Sequence, residues 1–232
     1  MYNVSRPRTV KHLLRILLMT GMAHANICKL NHEVCKTGKS VCCIRGFSDA
    51  IQPSKCASLQ HWQFAPRQLL LERFPVDKEQ GNYVREVKRA IFSEVKPTPL
   101  KGTLVLAAFS DDALTEILDM SPTIRFTDEF IAFVSGGHVI QGSTPLSHRY
   151  GGHQFGVWAD QLGDGRAHML GEYVNGRGER WELQLKGSGR TPYSRSGDGR
   201  AVVRSSVREF LASEAMFYLG NNNTHIACRA NC

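Results

Sequence analysis

Hydrophobic and polar positions alternate most sharply just before residue 186. Trp181, Leu183 and Leu185 fall on one side of an extended chain, and Glu182, Gln184 and Lys186 on the other. That period of two marks a strand. The run 166–174 precedes it, and Asn175-Gly176-Arg177-Gly178 between the two has the residues of a tight turn, so the pattern predicts an antiparallel hairpin. The period then changes to that of a helix over 202–218, with Val203, Val207, Phe210, Leu211 and Phe217 on its apolar side and Arg208, Glu209 and Ser213 off it. Upstream signals are shorter. Residues 104–109 predict a buried strand, and Ser110-Asp111-Asp112 can cap a short helix over 113–118. Residues 130–134 form an apolar run stopped by Gly136-Gly137, and Pro97 and Pro99 stiffen a turn. Residues 61–64 and Phe74-Pro75 predict an extended, aromatic-rich lead-in, and Trp158 and Trp181 are expected in the core.

The N-terminus follows another pattern. On a helical repeat Arg8, Lys11 and Arg15 share one face, while Leu13, Leu14, Leu17 and Leu18 share another. Charge sharpens this. The net +8 is unevenly spread: residues 1–75 hold eleven Lys and Arg against Glu33, Asp49 and Glu72, and residues 76–232 hold eighteen of each sign. A basic amphipathic helix poor in acids predicts a mitochondrial import leader, with Arg45-Gly46-Phe47-Ser48 as a processing site. The alternative is a secretory signal, with an apolar stretch from Ile16 and Ala23-His24-Ala25 as its cleavage site; Lys11 and Arg15 interrupt that stretch. The expected organisation is a leader over 1–47, a linker over 48–69, a folded region over 70–220 and a divergent tail over 221–232. Cys28, Cys35, Cys42, Cys43 and Cys56 lack the spacing of a zinc site and read as unpaired thiols in a removed or flexible segment. Cys228 and Cys232 belong to a polar tail. With 42% apolar residues and no apolar run of the roughly 18 residues a spanning helix needs, collagen-like, disordered and membrane-spanning helical chains are excluded.

Candidate chemistry lies between residues 149 and 210. Gly163 and Gly165 flank Asp164 just before the first strand of the hairpin, and Arg166 follows. Such a turn either lets backbone N–H groups approach a phosphate or simply connects two elements tightly. Beyond it, six cations (Lys186, Arg190, Arg195, Arg200, Arg204, Arg208) meet one acid, Asp198, among glycines at 187, 189, 197 and 199. An RNA-binding loop would interleave exposed aromatics, and only Tyr193 fits, so the phosphates of a small nucleotide are the better match. A glycine loop, a hairpin whose second strand ends in lysine, and a helix with Glu209 also stand in the order of parts of a protein-kinase N-lobe. The kinase strings GxGxxG and VAIK are absent. His148 and His153 read as structural rather than as general bases.

The strings YGGHQFG at 150–156, QLGDGRA at 161–167, WELQLKG at 181–187, TPYSR at 191–195 and DGRAVVRSSVREFL at 198–211 occur in order, with KPTPL at 96–100. Together they closely resemble the selenoprotein O (SelO) family over roughly residues 70–220. The resemblance implies an α+β, kinase-like pseudokinase N-lobe that binds ATP in a flipped orientation. It also implies transfer of AMP to Ser, Thr or Tyr hydroxyls of protein substrates, with neither nucleic acid nor membrane as partner. Carried over, Gly163, Gly165, Arg166, Lys186, Asp198 and Gly199 contact the nucleotide, and Glu209 is the helix partner of Lys186. The family's catalytic Asp, its Mg²⁺ ligands and two further nucleotide-binding arginines belong to a C-lobe with no counterpart here. The chain as written is therefore expected to be an incomplete form without AMP transfer of its own. A non-catalytic nucleotide- or partner-binding form and a basic RNA-binding module are the alternatives.

Overall fold

The computed structural model describes residues 55–163 and 165–220, together with the backbone of two strands, Leu14–Met22 and Thr224–Asn231. At its centre is the hairpin that the alternation predicts. Strands β8 (Ala167–Val174) and β9 (Arg180–Lys186) pair antiparallel, with Tyr173 opposite Trp181 and Ala167 opposite Lys186. Asn175 makes the turn: its Oδ1 accepts from the amides of Arg177 and Glu179, and Gly178 supplies the positive φ of 75°.

Around the hairpin lies a nine-stranded mixed sheet. The elements are β1 (Leu14–Met22), α1 (Leu69–Arg73), β2 (Val76–Asp77), β3 (Phe92–Glu94) and β4 (Val105–Phe109). They continue with α2 (Asp128–Val134), β5 (Leu146–His148), β10 (Ala201–Val202), α3 (Val203–Tyr218) and β11 (Thr224–Asn231). Sheet order is β2-β3-β5-β8-β9-β1-β11-β4, with β10 beside β1. A separate small hairpin joins β6 (Gly152–Gln154) to β7 (Val157–Ala159).

The alternation places Trp181, Leu183 and Leu185 on a buried face, where they meet Leu114, Ile117, Phe130 and Phe133. Helix α2 forms because Thr127 caps it, accepting from the Phe130 amide, with Asp128 and Glu129 in its first turn. The opposite face of β9 is not solvated. Glu182 and Gln184 are buried there, with His148 Nε2 3.3 Å from Glu182 and Gln184 Nε2 3.3 Å from His148 Nδ1.

Five expectations are corrected. The segment expected as a linker over 48–69 contributes Leu59, Trp62 and Phe64 to the main core, where Trp62 stacks on Tyr173 at 4.6 Å and donates from Nε1 to the Leu118 carbonyl. Cys56 is a free thiol, as read, but its segment is tied to the fold by backbone bonds to Asp119 and Ser121. Residues 14–22 form a strand, not a helix, because they lie along the open edge of β9, where backbone pairing is on offer. Strand β4 is half exposed rather than buried, since it closes the sheet edge and pairs with β11 alone. Residues 224–231 likewise form a strand rather than a polar tail.

Helix α3 also turns differently from its apolar pattern. It buries Ser206 and Ser213 and leans Phe217 on the core, whereas Val207 and Leu211 are exposed. Small serines at the contact let the helix approach the sheet closely. The basic residues Arg6, Arg8 and Lys11, both proposed cleavage sites and the cysteines from Cys28 to Cys43 lie outside the described residues. Among the described residues no helix is long and apolar enough to cross a membrane.

Two stability predictions follow from this packing. Trp62→Ala should cost about 3–5 kcal/mol in urea denaturation, a loss that a solvated linker residue would not produce. The second concerns His168, which is buried on β8 and shares a 2.7 Å hydrogen bond with Ser188 Oγ. Burial, aided by the Arg200 charge, lowers its pKa from 6.5 to about 4. The unfolded chain therefore binds the extra proton between those two values, so stability is present above pH 6.5 and drains away as pH falls toward 4. Denaturation at pH 7 and pH 5 should differ by about 2 kcal/mol on this account, and His168→Gln should flatten that slope.

Candidate functional site

Lys186 ends β9 on its polar side and remains about a third exposed, its Nζ 2.8 Å from Glu209 Oε2 on α3. The pair joins the sheet to the helix. Pairing of Ala167 with Lys186 sets the start of β8, and therefore the glycine loop preceding it, directly beside the lysine. The loop is fastened to the segment 187–201 by a ladder of bonds. The Gly187 amide donates to the Arg166 carbonyl at 2.8 Å, and Arg166 Nη1 donates to the Arg200 carbonyl at 3.1 Å. Asp198 Oδ1 accepts from the Arg200 amide at 2.9 Å, and the Gly189 amide donates to the Gly199 carbonyl at 3.3 Å. Gly165, Arg166, Lys186, Asp198, Gly199 and Glu209 are thereby brought into one connected cluster. Gly163 stands exposed at its edge, and Asp164 lies outside the described residues.

Two of these glycines are required by the close approach of chain to chain. A Cβ on Gly165 would collide with Tyr193 Cβ and sit 3.0 Å from the Tyr193 carbonyl oxygen. Gly199, at φ 72°, packs against the backbone of Gly189 with no room for a side chain. The turn 191–194 grips Gly165 from three sides. The Gly165 amide donates to the Tyr193 carbonyl at 2.9 Å, while Ser194 Oγ and Thr191 Oγ1 both donate to the Gly165 carbonyl.

The charge distribution favours an anion. Arg190, Arg195, Arg204 and Arg208 are exposed, and Asp198, the single acid between Lys186 and Arg208, is occupied in a local turn. Such a donor set, with a half-exposed lysine beside a glycine loop, fits a polyphosphate. Among the described residues no group of three or more His, Cys, Asp or Glu is arranged to hold a metal ion.

The aromatic string before the loop is placed differently from expectation. Residues 152–159 form the small hairpin, and Trp158 is 61% exposed instead of core, with His153 against its edge. Its ring nitrogen donates to Asp160 at 3.0 Å. Trp181 is buried. The sequence pattern assigns no role to Thr191, Ser194 or Gln161, although all three lie within the strings that carry the family resemblance. Gln161 ties the approach to the glycine loop, donating to the Arg85 carbonyl at 2.7 Å and accepting from the Val87 amide at 2.9 Å. A half-buried amide bonded to a segment 74 residues away leaves no local sequence signal.

Comparison with known proteins places this cluster. The family model described as Protein adenylyltransferase SelO matches residues 79–228, a span that contains the whole cluster and runs past Gly220 into β11. Protein nucleotidyltransferase YdiU of Methylobacillus flagellatus is 51% identical over 150 residues, covering 65% of this chain and 29% of the relative. The YdiU protein of Azoarcus sp. (strain BH72) is 49% identical over 150 residues, covering 65% and 28%. That of Dechloromonas aromatica is 46% identical over 164 residues, covering 71% and 32%. The match thus spans less than a third of the length of these relatives. With a family model matching most of its length, and the glycine loop, strand lysine and helix glutamate all inside the match, the chain belongs to the SelO family.

Proposed function

We propose that this chain forms the nucleotide-binding, kinase-like N-lobe of a protein adenylyltransferase, which transfers AMP from ATP to Ser, Thr or Tyr hydroxyls of protein substrates. The observation that supports it best is the 2.8 Å Lys186–Glu209 pair, set where the glycine loop enters β8. ATP supplies an activated α-phosphorus, with pyrophosphate as leaving group. The residues of this chain bind and orient it. Glu209 holds the Lys186 ammonium in place, Arg166 is braced on the Arg200 carbonyl, and the surrounding arginines offset phosphate charge. Cations fixed before the reaction stabilise charge that grows on phosphate oxygens without reorganising. The excess of Lys and Arg before Glu33 supports a mitochondrial location for the protein, although residues 14–22 stand in the sheet as a strand and not as the amphipathic helix of an import leader.

An RNA-binding reading finds less support. Tyr193, the single aromatic between Lys186 and Arg208, is fully buried and cannot stack on a base.

Calorimetric titration of the purified chain with ATP should show binding, and Lys186→Ala should weaken it about tenfold or more, as expected for loss of a charge-assisted phosphate contact. Equal affinity in the variant would remove Lys186 from the site. Arbitrary RNA should not displace ATP, whereas salt-dependent RNA binding that ATP fails to compete would favour the basic-module reading.

A further inference from the structure

Residues 78–91 connect β2 to β3 without a helix or strand of their own, yet they form the wall against which the glycine loop is held. Arg85 organises that wall from within. Its guanidinium is largely buried, with 12% of the side chain exposed, and is paired with Asp77 Oδ2 at 2.5 Å. The same fork donates to the carbonyls of Gly81 at 2.5 Å, Glu79 at 3.2 Å and Tyr83 at 3.3 Å. One planar group thus gathers the whole first half of the loop, a geometry that a lysine ammonium cannot reproduce.

The backbone of Arg85 faces the other way. Its amide donates to the Pro192 carbonyl at 3.1 Å, inside the turn that grips Gly165. Its carbonyl accepts from Gln161 Nε2 at 2.7 Å, at the approach to the glycine loop. Two further bonds reinforce the same connection. Asn82 Nδ2 donates to the Arg190 carbonyl at 3.2 Å, and Tyr193 Oη shares a 2.8 Å bond with Ser93 Oγ, which also donates to Asp77 Oδ2 at 3.3 Å.

We propose that Arg85, clamped by Asp77, is a positioning residue of the nucleotide site: through its backbone it fixes both flanks of the glycine loop, at Gln161 and at the 191–194 turn. It touches no nucleotide itself. The inference rests on the nucleotide-binding reading of the loop, which is why its test includes a measurement made without ATP.

That measurement is amide hydrogen exchange in the purified chain, with Arg85→Lys and Gln161→Leu compared with the parent. Arg85→Lys keeps the charge and loses the fork. Exchange over 161–166 and 191–195 should accelerate about tenfold while β8 and β9 keep their protection, a local opening rather than a global one. Gln161→Leu should loosen 161–166 and spare 191–195. ATP affinity by calorimetry should fall about fivefold to tenfold in both variants, because loss of preorganisation weakens binding without removing a contact. Unchanged exchange at both flanks, or equal acceleration throughout β8 and β9, would overturn the assignment. Should Arg85→Lys fail to fold, Gln161→Leu decides alone, and absence of local acceleration there sinks the proposal. Should the parent chain bind no ATP, the nucleotide reading fails, and exchange still determines whether Arg85 sets the loop.

Discussion

Strands β8 and β9 are buried on both faces, and the structure is arranged around that constraint. One face is apolar and takes Leu170, Trp181, Leu183 and Leu185 into the main core. The other buries Met169, Glu172, Glu182 and Gln184. A strand pair that sinks carboxylates must find each a partner, or the desolvation cost would exceed what the apolar face contributes. Glu172 and Glu182 stand directly opposite each other, where like charges repel. Glu172 is met by Arg180 at 2.8 Å and the Leu70 amide at 2.8 Å, and Glu182 by His148 at 3.3 Å. Arg180 belongs to β9 itself, but the other two partners come from α1 and β5, so satisfying these charges also dictates which elements cover the hairpin.

Lys186 takes its meaning from the same arrangement. It continues the polar row of Glu182 and Gln184, but at the end of the strand, where cover stops and the side chain stays a third exposed. A cation at that position needs one carboxylate to orient it and still faces solvent from which an anion can approach. Helix α3 supplies the carboxylate through Glu209. It can do so because Ser206 and Ser213 are small enough to let it lie close to the sheet.

Whatever depends on neighbours within a few residues was legible in the sequence. The period of two across 181–186, the Asn-Gly turn at 175–178 and the helix over 203–218 all follow from local pattern, and six of the seven nominated residues stand in one bonded cluster with Gly163 at its edge. Features fixed by distant partners were not legible. The exposure of Trp158 depends on the small hairpin standing apart from the main sheet, and the burial of Trp62 depends on meeting Tyr173 and Phe133. The apolar stripe of α3 misled for a related reason, since the helix buries Ser206 and Ser213 and leans Phe217 on the core while Val207 and Leu211 are exposed.

The glycines show how one residue type can answer two demands. Read alone, Gly163 and Gly165 suit a phosphate that needs bare backbone N–H groups. In the fold, the Gly165 amide is spent on the Tyr193 carbonyl, and its missing Cβ makes room for Tyr193. That glycine therefore builds the loop. On either side of it Gly163 is exposed and Arg166 half-buried, where the proposed nucleotide would meet them. A loop whose middle is locked while its rim stays open is preorganised: its conformational entropy is lost on folding and not again on binding. The same logic explains why so many hydrogen bonds from outside the motif converge on a turn with no regular structure of its own.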